Sequence, residues 1–582
     1  MNLELLSFPQ ELSHYESLKD SSTFPVPQQS LENFSDIQTR DVQNEALGII
    51  PKELLQHSEV IQNPTDLHLI NTRLWINELS QKYNRQISIG SVPENEWKAL
   101  FDKYNAFWFM GIYQPSEASR QHCKKWPQSV SYAKKDIEPD KDIVASPFAI
   151  PDYRPNPNIA KDWEEWDKVV DYLHSNNKKV FLDFVPNHVA LDHPWAKNHP
   201  EYFIQGSNGQ KQASPDFYYT VYDNHGQPHH IAHGKDPNYP EWADTLQLNY
   251  ANPDLQQAMK EVLIGNSQKS GLINHCDGVR CDMAMLLNPD TFIRTWGDRY
   301  FGGHLTDKEI NYLKNNEFWP RVIPEVKNKA KELGKDDFTF VAEAYWDLEK
   351  LGENFDILYG KSFYDDLLHL SHGDPKVSPD DVKRHIDFLI KGRKNGQRHY
   401  KLALFTENHD EDRSVSRFGK EASMAAAVIT ALIPDNVFLI NQGQDEGRKI
   451  RPPMQLDQPL KDPVDSSVKE FYERLLKFKN SRLSQDGEWS VLQPNCLEDP
   501  YVISQKVSLL NRNMRAYICT NFSDHMVYAH LPEIGKQHTI KVSSLTSGER
   551  IRNIDQERTG GLFIKLEPWE SQLIIDFMFH KN

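Results

Sequence analysis

The chain has 582 residues, 38% of them hydrophobic and 26% charged, with a formal net charge of −17. That length supports a large core and two or three domains, and the composition is that of an ordinary globular protein. The acid is spread along the chain, which argues against binding to nucleic acid or to an anionic membrane surface.

The opening stretch, "MNLELLSFPQELSHYESLKD", has no basic segment followed by an apolar one, and no run is long enough to span a bilayer. The 5 cysteines are odd in number and lack metal-type spacing. They read as free, buried thiols. A cytoplasmic location is expected, with signal-independent export left open.

Residues 1–66 are polar and interrupted by Pro, Ser and Gln, as in "KDSSTFPVPQQSLENFSD", and read as an N-terminal extension of short helices and loops. Short apolar runs then alternate with helix-like segments. The runs are "RLWINEL", "NAFWFMGI", "KKVFLDFVPN", "DGVRCDMAM", "FTFVAEAYW", "FDILYG", "KLALFTENHD" and "NVFLINQGQ". This alternation predicts an α/β protein whose body, residues 67–187 and 276–484, is a parallel (β/α)8 barrel of the TIM type. Residues 188–275 break the rhythm. They are rich in His, Gly, Pro, Asn and Tyr, and too long for a plain loop, so they read as a subdomain inserted after the third strand and over the barrel mouth. From 485 to 582, apolar and polar residues alternate between turn signals, which predicts a C-terminal antiparallel β-sandwich.

Four predicted strands end in acids beside polar partners. "FLDFVPNH" offers Asp183, Asn187 and His188; "GVRCDMAM" offers Arg280 and Asp282; "FVAEAYW" offers Glu343; "FTENHDEDR" offers Asn408, His409 and Asp410. Residues two apart on a strand share a face, so Arg280 and Asp282 project together. Taken singly, each acid reads as a cap or a structural ion pair, and each histidine as a satisfied core residue. Taken together they converge, because the C-terminal strand ends of a parallel barrel meet at one face.

Glycosidic bond cleavage uses such a set: one carboxylate to attack the anomeric carbon and one carboxylic acid to protonate the leaving oxygen. Arg280 is expected to lower the pKa of Asp282 and keep it ionised, while apolar neighbours keep Glu343 protonated. His188 and His409 are donors to sugar hydroxyls, and Asp410 favours a cationic transition state.

The four segments resemble, in order, the four short motif regions of the alpha-amylase family (glycoside hydrolase family 13): "DFVPNH", "GVRCDMAML", "VAEAYW" and "ENHD". The resemblance covers the barrel, an insert after the third strand and an all-β C-terminal domain. It implies a retaining mechanism through a covalent glycosyl-aspartate. By position, Asp282 resembles the nucleophile, Glu343 the general acid/base and Asp410 the transition-state stabiliser. Arg280, His188, His409 and Asn408 resemble the sugar-binding shell, with Asp183 supporting it from beneath and Phe148, in "ASPFAIPDY", standing where a stacking tyrosine is common. Asp152 and Tyr153 follow nearby as candidate pocket residues. Trp346, beside the acid, is the candidate sugar platform among the tryptophans.

The family's second region commonly continues to a Lys-His pair, and this chain has Met285 and Leu286 there. That change bears on acceptor binding and on structural calcium, for which Asn187 matches a usual ligand. No cofactor is required by the resemblance. "HHIAHGKD" offers His229, His230, His233 and Asp236 as a zinc set, with ordinary loop histidines as the other reading.

The leading expectation is a retaining hydrolase acting on α-glucosidic bonds of maltooligosaccharides or α-glucans. Transglycosylation or isomerisation of sucrose- or trehalose-type substrates at the same site is the alternative. A non-catalytic carbohydrate-binding barrel, and a metal-dependent hydrolase using Asp183, His188 and His409, are the readings from other classes.

Overall fold

The computed structural model describes residues 46–56, 65–125, 138–297, 303–392, 395–492, 495–496, 500–509, 514–534, 539–551 and 561–577. Most of the expected N-terminal extension lies outside the described residues. Eight parallel strands close into a barrel in the order β1-β8-β7-β6-β5-β4-β3-β2. They are β1 (Asp66–Asn71), β2 (Ala106–Met110), β3 (Lys179–Phe184), β4 (Gly278–Cys281), β5 (Thr339–Ala342), β6 (Ile357–Tyr359), β7 (Lys401–Leu404) and β8 (Val437–Asn441). Almost every strand residue is buried, as expected where a sheet is covered on both faces.

Seven of the eight apolar runs contain a barrel strand. The first does not: "RLWINEL" belongs to the helix Thr72–Lys82, and β1 is the preceding "DLHLIN". Leu74, Trp75 and Leu79 sit on one helical face and are buried there, so helical spacing, not strand alternation, governs this run. Asn71 ends β1 and at once caps the helix, its side chain accepting from the Leu74 N–H. Strand and helix are therefore joined without a loop.

The helix Trp163–Ser175 shows how the outer ring is built. Asp162 caps it by accepting from the Glu165 N–H, and Trp166, Val169, Val170 and Leu173 form its buried stripe. Between β3 and β4 lie two small antiparallel sheets. One pairs His188–Ala190 with Thr245–Gln247, and the other joins Gln205–Gly206, Tyr218–Tyr222 and Pro228–Ala232. The helix Pro253–Ile264 follows and leads back to the barrel.

Near the C-terminus, an antiparallel sheet built on Val502–Leu509, Met514–Asn521 and Ser571–Phe577 faces a second sheet of Asn495–Cys496, Val527–Leu531 and Leu562–Leu566. Val502, Tyr517, Cys519, Ala529 and Ile564 pack together in one cluster. Alternate residues of the same strands, among them Ile503, Val507, Ile518 and Ile575, join the cluster that contains the barrel. The period of two thus lets one sheet serve two cores. Among the described residues, no helix is long and apolar enough to cross a membrane.

Candidate active site

Strand register assembles the site. Asp183 on β3 pairs directly with Arg280 on β4, and Arg280 pairs with Val341 on β5. Cys281 is level with Ala342, so the next residues, Asp282 and Glu343, emerge side by side at the C-terminal rim. The ladder continues there, with Asp282 N–H donating to the Phe184 carbonyl at 2.9 Å and Glu343 N–H to the Cys281 carbonyl at 3.0 Å.

Arg280 is fully buried. Its Nη1 donates to Asp282 Oδ1 at 2.8 Å and lies 3.6 Å from Asp183 Oδ1; its Nη2 is 2.6 Å from Glu343 Oε2. Nε donates to the Tyr359 hydroxyl at 3.4 Å. Trp108 and Phe148 enclose the guanidinium, with ring centres 4.9 and 5.1 Å from it. The structure thus brings Arg280, Asp282, Glu343, Asp183 and Phe148 into one cluster. Trp108 is core beneath it.

Beyond β7, Asn408 is buried, and its Oδ1 accepts from the N–H groups of Asp410 and Glu411, both at 2.9 Å. This turn aims Asp410 at the site, where its Oδ2 lies 3.1 Å from His409 Nε2. Phe148 packs on His409 at 5.3 Å. Arg451 donates to the Asp410 carbonyl. His188 lies against Trp242 at 5.0 Å, and Asn187 Nδ2 is 3.3 Å from its Nδ1.

Burial dominates the electrostatics. Glu343 is pushed up to about 7 by burial, with Arg280 opposing and the charges of Asp282 and Asp410 adding to the rise. Asp183 is likewise pushed up to about 7 by burial, against Arg280. Asp282 is raised, not lowered as expected from its arginine: burial outweighs the strong opposing pull of Arg280. Asp410 also moves upward through burial, opposed by the charges of Arg280 and Arg451, although solvent reaches 35% of its side chain. His188 and His409 are held down to about 3 by burial, so both are neutral imidazoles over the working range.

Other expected residues have different surroundings. Trp346 is half-buried and donates to Thr291 Oγ1 at 3.3 Å. Asp152 pairs with Arg154 at 2.7 Å and Lys269 at 3.2 Å, and with Tyr153 it lines a separate cavity of about 310 Å³. Met285 and Leu286 are buried in the turn after β4. Asn187 Oδ1 accepts from Gln247 Nε2 at 3.0 Å, and its own Nδ2 donates to Gln247 Oε1 at 3.2 Å. An amide closed on another amide does not fit a calcium site, which gathers six to eight oxygen ligands.

The histidine-rich strand is no zinc set either. His229 contacts Gln205 and Asp223, its neighbour His230 contacts Thr220 and Asn208, and His233 is tied to the Thr245 carbonyl. Adjacent strand residues point to opposite faces. Among the described residues, no three His, Cys, Asp or Glu side chains converge to hold a metal.

Sequence reasoning missed two groups. Tyr345 donates its hydroxyl to Glu343 Oε1 at 2.7 Å, and Met283 donates its N–H to Glu343 Oε2 at 2.9 Å. Tyr345 is two residues past Glu343, so same-side spacing was a usable signal. Met283 reaches the acid through a left-handed backbone, φ 43°, which no side-chain pattern announces. A cavity of about 750 Å³ flanks the site through His409 and Arg451 and runs past Asn71, Trp75, Glu78 and Gln442.

The site is thus an arginine-bound carboxylate cluster at the C-terminal rim of a closed parallel barrel. The family model described as "Alpha amylase, catalytic domain" matches residues 147–470, and the chain belongs to that family. Alpha-amylase MalA of Haloarcula japonica is 23% identical over 370 residues, 63% of this chain and 46% of that protein. Maltase 1 of Drosophila virilis is 23% identical over 456 residues, 70% of this chain and 66% of that protein. The chain thus spans about half to two thirds of the length of these relatives. An alpha-amylase structure from Lactobacillus plantarum superposes with a TM-score of 0.58 at 17% identity, over 88% of this chain and 99% of that one; this likeness is one of fold.

Proposed function

We propose that the protein is a retaining glycosidase acting on α-glucosidic bonds of maltooligosaccharides or α-glucans. The observation that carries this reading is one buried guanidinium holding two carboxylates of neighbouring strands, Asp282 at 2.8 Å and Glu343 at 2.6 Å. Sharing a single guanidinium keeps the two carboxyls close, as attack and protonation on one sugar require in a retaining site.

In this reading Asp282, which accepts a hydrogen bond from Arg280 Nη1, attacks the anomeric carbon. Glu343 gives its proton to the leaving oxygen, then takes one from water or from an acceptor sugar. The resulting glycosyl-aspartate is hydrolysed or transferred. Asp410 and the neutral imidazoles of His188 and His409 bind hydroxyls. Maltase- and amylase-named relatives favour α-linked glucose as the sugar. Met285 and Leu286 are buried apolar residues with no side-chain donor for an acceptor, which favours water.

We divide the chain at the boundaries expected from sequence: barrel 67–187 and 276–484, insert 188–275, sandwich 485–582. The buried free thiols Cys276 and Cys281 favour a reducing compartment such as the cytoplasm. Incubation with starch, glycogen, maltooligosaccharides, sucrose and trehalose, with product chromatography and Asp282→Asn as control, tests the activity. Products from wild type and none from the variant are expected; equal products from both refute the assignment.

A further inference from the structure

Glu343 presents its two oxygens to different surroundings. Oε2 receives the Met283 N–H at 2.9 Å and lies 2.6 Å from Arg280 Nη2. Both of these neighbours are donors, and the Asp282 carboxylate is a further hydrogen-bond partner of the Glu343 carboxyl. A proton on Oε2 would crowd the two donors, so Oε1 is the better seat for the acid's proton. The partner of Oε1 is the Tyr345 hydroxyl, at 2.7 Å.

Tyr345 lies on the turn after β5, ahead of Asp347, whose left-handed backbone, φ 56°, reverses the chain. The residue is 36% exposed, against 2% for Glu343 and 5% for Asp282. Among the described residues, the tyrosine is therefore the one of the acid's hydrogen-bonded side chains that solvent reaches, while its hydroxyl is turned inward onto the acid. A hydroxyl oxygen at hydrogen-bond distance from the proton-bearing oxygen stands where a leaving glycosidic oxygen has to come.

We infer that Tyr345 is a placeholder for the leaving-group oxygen, holding Glu343 Oε1 in the free protein and giving way when the leaving-side sugar enters. The inference rests on the proposed function. In the exchange, the contact between the phenol O–H and Oε1 breaks, and Oε1–H bonds to the glycosidic oxygen. The phenol keeps its proton. Burial and the charges of Glu343 and Asp410 hold that phenol well above the usual tyrosine range, so it stays neutral. The charged and titratable groups facing the acid are Asp183 on β3, His188 beyond it, Arg280 on β4 with Asp282 just after it, Tyr359 of β6, and His409 and Asp410 after β7. All are retained in Tyr345→Phe.

A phenol that donates to the ionised acid favours ionisation, so the free enzyme should lose the acid's proton at lower pH than the complex. The kcat/KM profile reports the free enzyme and the kcat profile the complex. The alkaline limb of kcat/KM is expected about one pH unit below that of kcat. Tyr345→Phe should raise the kcat/KM limb alone and close the gap. Limbs that coincide in wild type, or that move together in the variant, overturn the inference.

A maltose-bound crystal structure of Asp282→Asn gives a second readout. A sugar oxygen at Glu343 Oε1 with the tyrosine turned away supports displacement, and a tyrosine still bonded there refutes it. Turnover with coincident limbs defeats this inference alone. No turnover on any substrate defeats it together with the proposed function.

Discussion

Asp183 and Arg280 are direct cross-strand partners on β3 and β4, and the carboxylate reaches the guanidinium at 3.6 Å. Register alone places an anion beside the cation that grips Asp282 and Glu343. Arg280 is thus the centre of charge for three acids while itself having no access to solvent.

Arg280→Lys should be among the most damaging single changes. Lysine keeps the charge but cannot reach three carboxylates and a phenol with a planar fork. Breaking a buried pair typically costs about 3–5 kcal/mol. Urea unfolding should show a loss of that order, together with loss of turnover. A variant as stable as wild type would falsify the central role of this residue.

Asp282→Asn preserves shape and removes the proposed nucleophile. Turnover is expected to fall by at least about a thousandfold, with circular dichroism unchanged. Glu343→Gln should fall comparably on natural sugars and much less on aryl glucosides, whose leaving group needs little protonation. A uniform loss across both substrate types would remove Glu343 from the acid role.

The raised carboxyls make stability depend on pH. Glu343 rises from an ordinary 4.5 to about 7 on folding. Between those values the folded state binds more protons than the unfolded state, so stability falls as pH climbs. The contribution is fully present below about 4.5 and gone above about 7, and amounts to about 3 kcal/mol at most. Tm of Glu343→Gln should decline less than that of wild type from pH 5 to 7. Parallel curves for the two proteins would exclude the effect.

Calcium removal should leave Tm unchanged, because the amide oxygen of Asn187 is taken by Gln247. Thermal unfolding before and after chelation measures this. A drop that added calcium reverses would show a cation bound elsewhere.

The barrel and the convergence of its acids were legible because strand ends carry their own signal: apolar runs closed by Asp, Glu, Asn and His. The helix Thr72–Lys82 was misread because Leu, Trp and Ile suit a strand as well as a helix in so short a run. The direction of the Asp282 shift was misread because proximity to Arg280 is visible in sequence and depth of burial is not. Calcium was a matter of one matching residue, Asn187, and its partner Gln247 is sixty positions away. Nothing in "FVPNH" announces that distant amide.

The weld between β1 and its helix has a mechanical meaning. Asn71 ends the strand, caps the helix and donates its N–H to Gln442, just past the neighbouring strand β8, so the flank of the large cavity beside His409 is braced from three directions. A flank braced in this way does not flap. Whatever enters that trench is chosen by its outline, as a key is by a cut lock, and enlarging the trench calls for carving Trp75 or Glu78, not for loosening a hinge.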